Sequence, residues 1–407
     1  MRSVAAVALA ALVALVALVA AACSNDKLAT PATGVYTGGA MFQRYVALGN
    51  SITSGYQSGG INDSTQRQAY PVVLAAAMGG DPFYYPSLAG PGCPPPYTNI
   101  FTGTRLGPAS TATTCYFRSS PTPPYVSDVA VPGAYAIDLY TNGAGTNSNA
   151  LTQLFLGGRT QVQAMAAAQP TFVSVWIGNN DVLDALLDTA KAGDSTVITP
   201  LATFQTEYQQ VAADVKATGA QAVLIGVANV TEVPYASLGS TYFAIKNGLV
   251  AGVAFPATFI VGPNCAPSSL GGKGDSILVP FPFGAALVGV AAQGVADTLH
   301  CTEIHTVQPA QLRKLIATVL AYNTFINATA SANDWAYLDP NPTLDSLRLN
   351  PAEVAPFPNL QASCSASPFG LAFSCDGFHP SGATHLLIAR HLAQAINAKY
   401  GSAIPAF

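Results

Sequence analysis

Apolar residues in this chain come in short unbroken runs rather than in the alternation of half-exposed strands. Most runs stop at a glycine or a polar turn. Residues 45–48 form the first run, closed by Gly49-Asn50; residues 171–177 (TFVSVWI), 221–227 (QAVLIGV) and 335–338 follow. Runs of this length without alternation predict strands covered on both faces, as in a mostly parallel sheet. Between them, apolar spacing and length predict helices within 66–78, around 160–168, over 200–218 and over 308–330, with 381–400 closing the chain. Residues 128–134 return to a short apolar run closed by Pro132-Gly133, and 135–140 reads as the start of a further helix. Strand and helix alternate without an internal repeat, so an α/β fold with a central parallel sheet is expected.

Two stretches interrupt the alternation. Residues 81–127 carry many prolines, among them Pro94-Pro95-Pro96, and read as a surface excursion. Residues 236–305 are irregular and short of charge, an elaboration between sheet elements. The apolar runs 249–260 and 279–295 inside it are expected as ordinary core, the alternative being a cover over a site or the wall of an acyl pocket.

Composition narrows the function classes. Of 407 residues only 9% are charged, 16 basic against 20 acidic, so no basic patch is available for nucleic acid and no basic stripe for anionic lipid. Half the residues are hydrophobic and Gly and Pro number 36 and 30, which suits a globular, loop-rich domain with a sizeable core.

The N-terminus reads as a targeting segment. Met1-Arg2 gives a minimal positive region, 4–19 an uncharged Ala/Val/Leu run, and Ala20-Ala21-Ala22-Cys23 a processing site. Three outcomes fit these letters: a lipoprotein signal over 1–22 with Cys23 lipidated, an ordinary secretory signal, and an uncleaved anchor helix. The first is the expectation, giving an exported, cell-envelope protein held to the membrane by an N-terminal lipid. Residues 23–41 are small and polar with Gly, Pro and Thr, a flexible tether of about 20 to 25 Å reach ahead of a domain over 42–407.

Setting Cys23 aside leaves six cysteines, an even set in an exported protein. Sequential pairing of Cys93 with Cys115, Cys265 with Cys301 and Cys364 with Cys375 is expected, because each pair brackets one Pro/Gly-rich excursion. No pair has the close spacing of a zinc site, and His300 and His305 flank Cys301 without a carboxylate cluster, so neither metal nor cofactor is expected. His385 and His391 are read as packing or exposed residues of the closing helix.

Candidate chemistry lies in four short stretches. A metal-free ester hydrolase needs a nucleophile, a base, a carboxylate that orients the base, and donors aimed at the developing oxyanion. Ser51 follows the first strand, where open α/β sheets place their ligands. Asp376 and His379 stand three residues apart in a Gly/Pro loop ahead of the closing helix, a spacing that lets the carboxylate fix the imidazole tautomer.

Taken together, Gly49-Asn50-Ser51, Val129-Ala130-Val131-Pro132-Gly133-Ala134, Gly178-Asn179-Asn180-Asp181 and Asp376-Gly377-Phe378-His379-Pro380-Ser381 resemble, in order, the four blocks of the SGNH (GDSL-like) lipase and acylhydrolase family. The resemblance covers about residues 42–400. It implies a flavodoxin-like three-layer α/β/α sandwich and a serine esterase or lipase that hydrolyses carboxylic esters through an acyl-enzyme. It further implies Ser51 as nucleophile, His379 as general base and acid, Asp376 as its orienting carboxylate, and an oxyanion hole from the N–H groups of Ser51 and Gly133 with the Asn180 side chain. The sequence departs from the family at Asn50, usually Asp, and Ile52, usually Leu. A carbohydrate O-acetyl esterase on the same fold and a non-catalytic surface lipoprotein are the alternatives. Gly274-Asp275-Ser276-Ile277-Leu278 spells the family signature more closely than the stretch around Ser51, yet no strand precedes it. It is read as a polar turn.

Overall fold

The computed structural model describes residues 39–107, 123–142, 149–250 and 252–407. At its centre lies a four-stranded parallel sheet of β1 (Tyr45–Gly49), β2 (Phe172–Trp176), β3 (Gln221–Ile225) and β4 (Ala336–Leu338), in the order β1-β2-β3-β4. Tyr45 pairs with Phe172 and Gly49 with Trp176, while Trp176 pairs onward with Ile225, so the first three strands end level. Residues 127–131 extend the sheet beyond β1: the Ala47 amide donates to Ser127, and the Val129 and Val131 amides donate to Ala47 and Gly49. In chain order the edge therefore runs 2-1-3-4-5, the doubly wound order whose switch point falls between β1 and β2. Strand β1 is buried along its whole length and so is β2, which is why neither sequence alternates.

Helices pack against the sheet. They include α1 (Ser51–Ser54), α2 (Tyr70–Met78), α3 (Gln161–Ala168), α4 (Asn180–Leu187), α5 (Leu201–Ala217), α6 (Pro309–Ala332), α7 (Asn341–Arg348) and α8 (Gly382–Tyr400). Among the described residues no helix is long and apolar enough to cross a membrane.

The helix expected within 66–78 forms over its later part, Tyr70–Met78, and a separate helix, Asp63–Gln68, precedes it across a break at Ala69 with ψ 140°. Pro71 explains the break: its missing N–H suits the first turn of a new helix and would cost the old one a hydrogen bond. Residues 136–139 make only a 3₁₀ turn, whose start is capped by the Tyr135 and Ala136 amides donating to the carboxylates of Asp138 and Asp181. The stretch 236–305 is not irregular. It holds helices Gly239–Lys246 and Phe281–Ala292, paired short strands, and its own core around Tyr242, Phe259, Ile277 and Leu299.

Disulfides join Cys265 to Cys301 and Cys364 to Cys375, as the sequential pairing expects. Cys115, and with it the expected bridge to Cys93, the signal segment, Cys23 and most of the tether lie outside the described residues.

Candidate active site

Chain folding brings the front of the domain to its end at the carboxyl edge of the sheet. Ser51 follows β1 directly as the first residue of α1. Asn50 caps that helix by accepting from the Ile52 amide at 3.1 Å, one residue past Ser51, so the cap does not consume the Ser51 N–H. A residue with no local signal in the sequence, Gln161 of α3, clamps the strand end. Its side chain accepts from the Gly49 amide at 2.9 Å and donates to the Gly49 carbonyl at 2.8 Å, fixing the backbone two residues before the hydroxyl.

Residues 374–379 are stitched to the loop after α1 across more than three hundred positions. Ser58 donates its amide to Ser374 Oγ and its Oγ accepts from the Cys375 amide. His379 Nε2 lies 2.8 Å from Ser51 Oγ, and His379 Nδ1 lies 2.9 Å from Asp376 Oδ2. An ionised carboxylate only accepts, so Nδ1 carries the proton and Nε2 presents its lone pair to the Ser51 hydroxyl.

Asp376 is held as the anion. Burial alone would push its pKa up, but electrostatic attraction to the His379 ring, the His379 hydrogen bonds and the Gly59 amide at 2.7 Å outweigh it and keep the carboxyl below its ordinary value. The second oxygen accepts from the amides of His379 and Phe378 and from Ser374 Oγ. The disulfide from Cys375 to Cys364 ends beside this carboxylate. Closing an 11-residue separation stabilises a fold by about 3 kcal/mol through the unfolded chain. A Cys364→Ala, Cys375→Ala double variant is therefore expected to melt several degrees lower in a thermal scan, and an unchanged melting temperature contradicts this role.

The donors expected for an oxyanion border one open cleft with Ser51. Gly133 and Asn180 face it together with Tyr56 and Phe378. Gly133 has φ +84° in the turn Val131–Ala134, a left-handed position after Pro132 that a side chain would strain. Asn149 donates to the Pro132 carbonyl at 2.8 Å and pins that turn. Asn180 Nδ2 donates to the Ala134 carbonyl at 2.8 Å, which orients the amide while leaving its second N–H.

Asp181, the next residue, grips the same turn from the other side by accepting from the Ala136 amide at 3.1 Å. Two neighbouring side chains on α4 thus hold the loop that carries Gly133. Burial pushes the Asp181 carboxyl up to about 7, with the Thr199 hydroxyl and the Ala136 amide opposing and Glu207 and Asp138 adding to the rise. Between an unfolded value near 4 and about 7 the folded chain keeps a proton that the unfolded chain has lost. Stability therefore falls as pH rises through that window, by up to about 1.4 kcal/mol per pH unit from this group. Asp181→Asn keeps an acceptor for Ala136 and is expected to flatten the slope in denaturation measured from pH 5 to 7.5; an unaltered slope contradicts the assignment.

Ser276 sits in a 3₁₀ turn of the 236–305 insertion, and Asp275 there accepts from the amide and hydroxyl of Ser268. His385 is fully buried, accepts from the Tyr70 amide, and burial pulls its pKa down to about 3, so it stays neutral. His391, expected only to pack or be exposed, lines a pocket that opens on Ser51. The apolar runs 249–260 and 279–295 do not line that pocket. They pack in the insertion's own core, with Leu249 and Val295 exposed. Among the described residues no cluster of three or more potential metal ligands occurs.

The family model described as GDSL-like Lipase/Acylhydrolase matches residues 45–247. An acetylxylan esterase mutant from Geobacillus stearothermophilus is similar at 12% identity and TM-score 0.38, with 87% of this chain and 94% of that one covered. The solved structure of TesA is similar at 12% identity and TM-score 0.35, over 88% and 99% of the two chains. No curated protein matches the chain.

Proposed function

Because the chain belongs to the GDSL-like lipase/acylhydrolase family and is an ester-bond hydrolase, we propose that Ser51, His379 and Asp376 form its catalytic triad and cleave carboxylic esters through an acyl-enzyme. The observation that carries this reading is the continuous pair of bonds from Ser51 Oγ to His379 to Asp376, at 2.8 and 2.9 Å.

Ser51 Oγ attacks the ester carbonyl carbon as its proton passes to His379 Nε2. The carbonyl π electrons move onto oxygen, where the N–H groups of Ser51 and Gly133 and the Asn180 amide receive the charge. Collapse breaks the bond to the alcohol oxygen, which takes the proton from His379 and leaves. Water then repeats the sequence on the acyl-enzyme, releasing the acid and restoring Ser51. Asp376 stays ionised throughout and stabilises the imidazolium. Asn50 in place of the usual Asp keeps the capping hydrogen bond without charge, which tunes the site and leaves the triad intact.

In this reading the chain is also exported and tethered through a lipid on Cys23. Short acetylated carbohydrate esters are the second candidate substrate class, favoured by the open cleft beside Gly133 and Asn180.

Removing one oxyanion donor typically costs roughly 10² to 10³ in turnover. Asn180→Ala is therefore expected to lower kcat by about that factor with KM little changed. A rise in KM with kcat intact would make Asn180 a substrate-binding group only.

A further inference from the structure

Two clefts diverge from Ser51. One is the open cleft of Gly133, Tyr135, Asn149 and Asp184. The other is an apolar channel that follows the carboxyl edge of the sheet across its whole width. It starts at Asn50 and Ser51 after β1, passes Trp176 at the end of β2 and Ala228 past the end of β3, and reaches Leu338 at the end of β4. Leu344 and Leu347 of α7 and Ile388 of α8 complete its wall. Polar side chains are concentrated at its two ends. Asn50, Asn179 and Asn180 stand near Ser51, while at the far end Thr343 Oγ1 is hydrogen-bonded to His391 Nδ1 at 2.8 Å. Thr384, which also borders it, spends its hydroxyl on the Ala372 carbonyl.

The geometry points to this channel as an acyl site for straight chains of about ten to twelve carbons, with the alcohol in the open cleft; the inference rests on the esterase reading above. Its length follows from the sheet. From β1 to β4 there are three inter-strand steps of about 4.8 Å, roughly 14 Å in all. An extended chain gains roughly 1.2 Å per single bond, so about twelve bonds span the channel. A longer chain meets the Thr343–His391 pair, whose polar groups gain nothing from a methyl group. Each methylene placed in the apolar stretch raises binding by up to about fourfold. This chain-length limit belongs to the strand order, since the residues that set it come from four separate strand ends and two helices.

The experiment is kcat/KM for p-nitrophenyl esters from acetyl to palmitoyl, on the full chain and on Ala228→Phe, which fills the channel two strand steps from Ser51. The native chain is expected to rise at least 100-fold from acetyl to a maximum near decanoyl or dodecanoyl and to gain nothing beyond. Ala228→Phe is expected to lose at least tenfold on dodecanoyl while keeping its acetyl rate, which reports an intact fold and triad. A native profile that peaks at acetyl, or a dodecanoyl-to-acetyl ratio unmoved by Ala228→Phe, overturns the acyl site and leaves the esterase standing. If the variant loses the acetyl rate as well, the native profile alone decides. A native chain that cleaves none of the esters overturns the esterase reading and this site with it.

Discussion

Ser51→Ala is expected to abolish ester hydrolysis, with kcat falling by about 10⁶, while Ser276→Ala keeps most of it. The contrast is decisive because both serines sit in signature-like stretches. Only one of them has a base in reach. Ser51 Oγ lies 2.8 Å from His379 Nε2, and the backbone before it is clamped by Gln161. Ser276 lies in a 3₁₀ turn outside the central sheet, where Asp275 is occupied by Ser268. Alanine at 51 removes the attacking oxygen without emptying a core position, so the variant should fold normally. Rates with p-nitrophenyl acetate on the two purified variants check the prediction, and activity that follows Ser276 contradicts it.

Asp376→Asn is expected to cost about 10⁴ in kcat. Every hydrogen bond to this side chain is received: Gly59, Phe378 and His379 give amides, Ser374 a hydroxyl and His379 its ring N–H. An asparagine has one oxygen, so either orientation points an N–H at a donor. If the ring stays, its tautomer inverts, Nε2 carries the proton, and Ser51 loses its acceptor. The carboxylate's depressed pKa also contributes stability at neutral pH, lost as pH falls through the acid range below about 4. Kinetics at pH 7 with a parallel melting curve separate the two effects. A variant that melts normally and keeps wild-type kcat would remove Asp376 from the catalytic unit.

The sequence made the parts of the site that lie in short local blocks legible. Ser51 after a buried strand, and Asp376 three residues before His379, needed only neighbouring letters, and the structure brings them within bonding distance. The strands were legible for the same reason, since burial on both faces leaves continuous apolar runs. Gln161 was not legible, because its amide acts on Gly49 from 112 positions away. The apolar channel was hidden too. Sequence pattern suggested the strongly apolar runs of the insertion as its alternative wall, whereas its wall comes from Ala228, Leu338, Leu344 and Ile388, which meet only through the strand order. In the insertion, weak periodicity concealed short helices and strands that pack on one another and are held by the Cys265–Cys301 bridge.

The turn that carries Gly133 shows a mixed case. Gly133 and Asn180 were marked by their blocks, but Asp181 and Asn149, which pin the turn, act through long-range contacts. In the proposed mechanism any effect of theirs on catalysis runs through the position of Gly133, whereas Gly133 and Asn180 border the cleft beside Ser51.

The most direct measurement of the central claim is labelling of the intact chain with a fluorophosphonate probe, followed by peptide mass spectrometry. One phosphonyl adduct on Ser51, lost in His379→Ala, is the predicted result. No adduct, or an adduct on Ser276 with Ser51 unmodified, contradicts it.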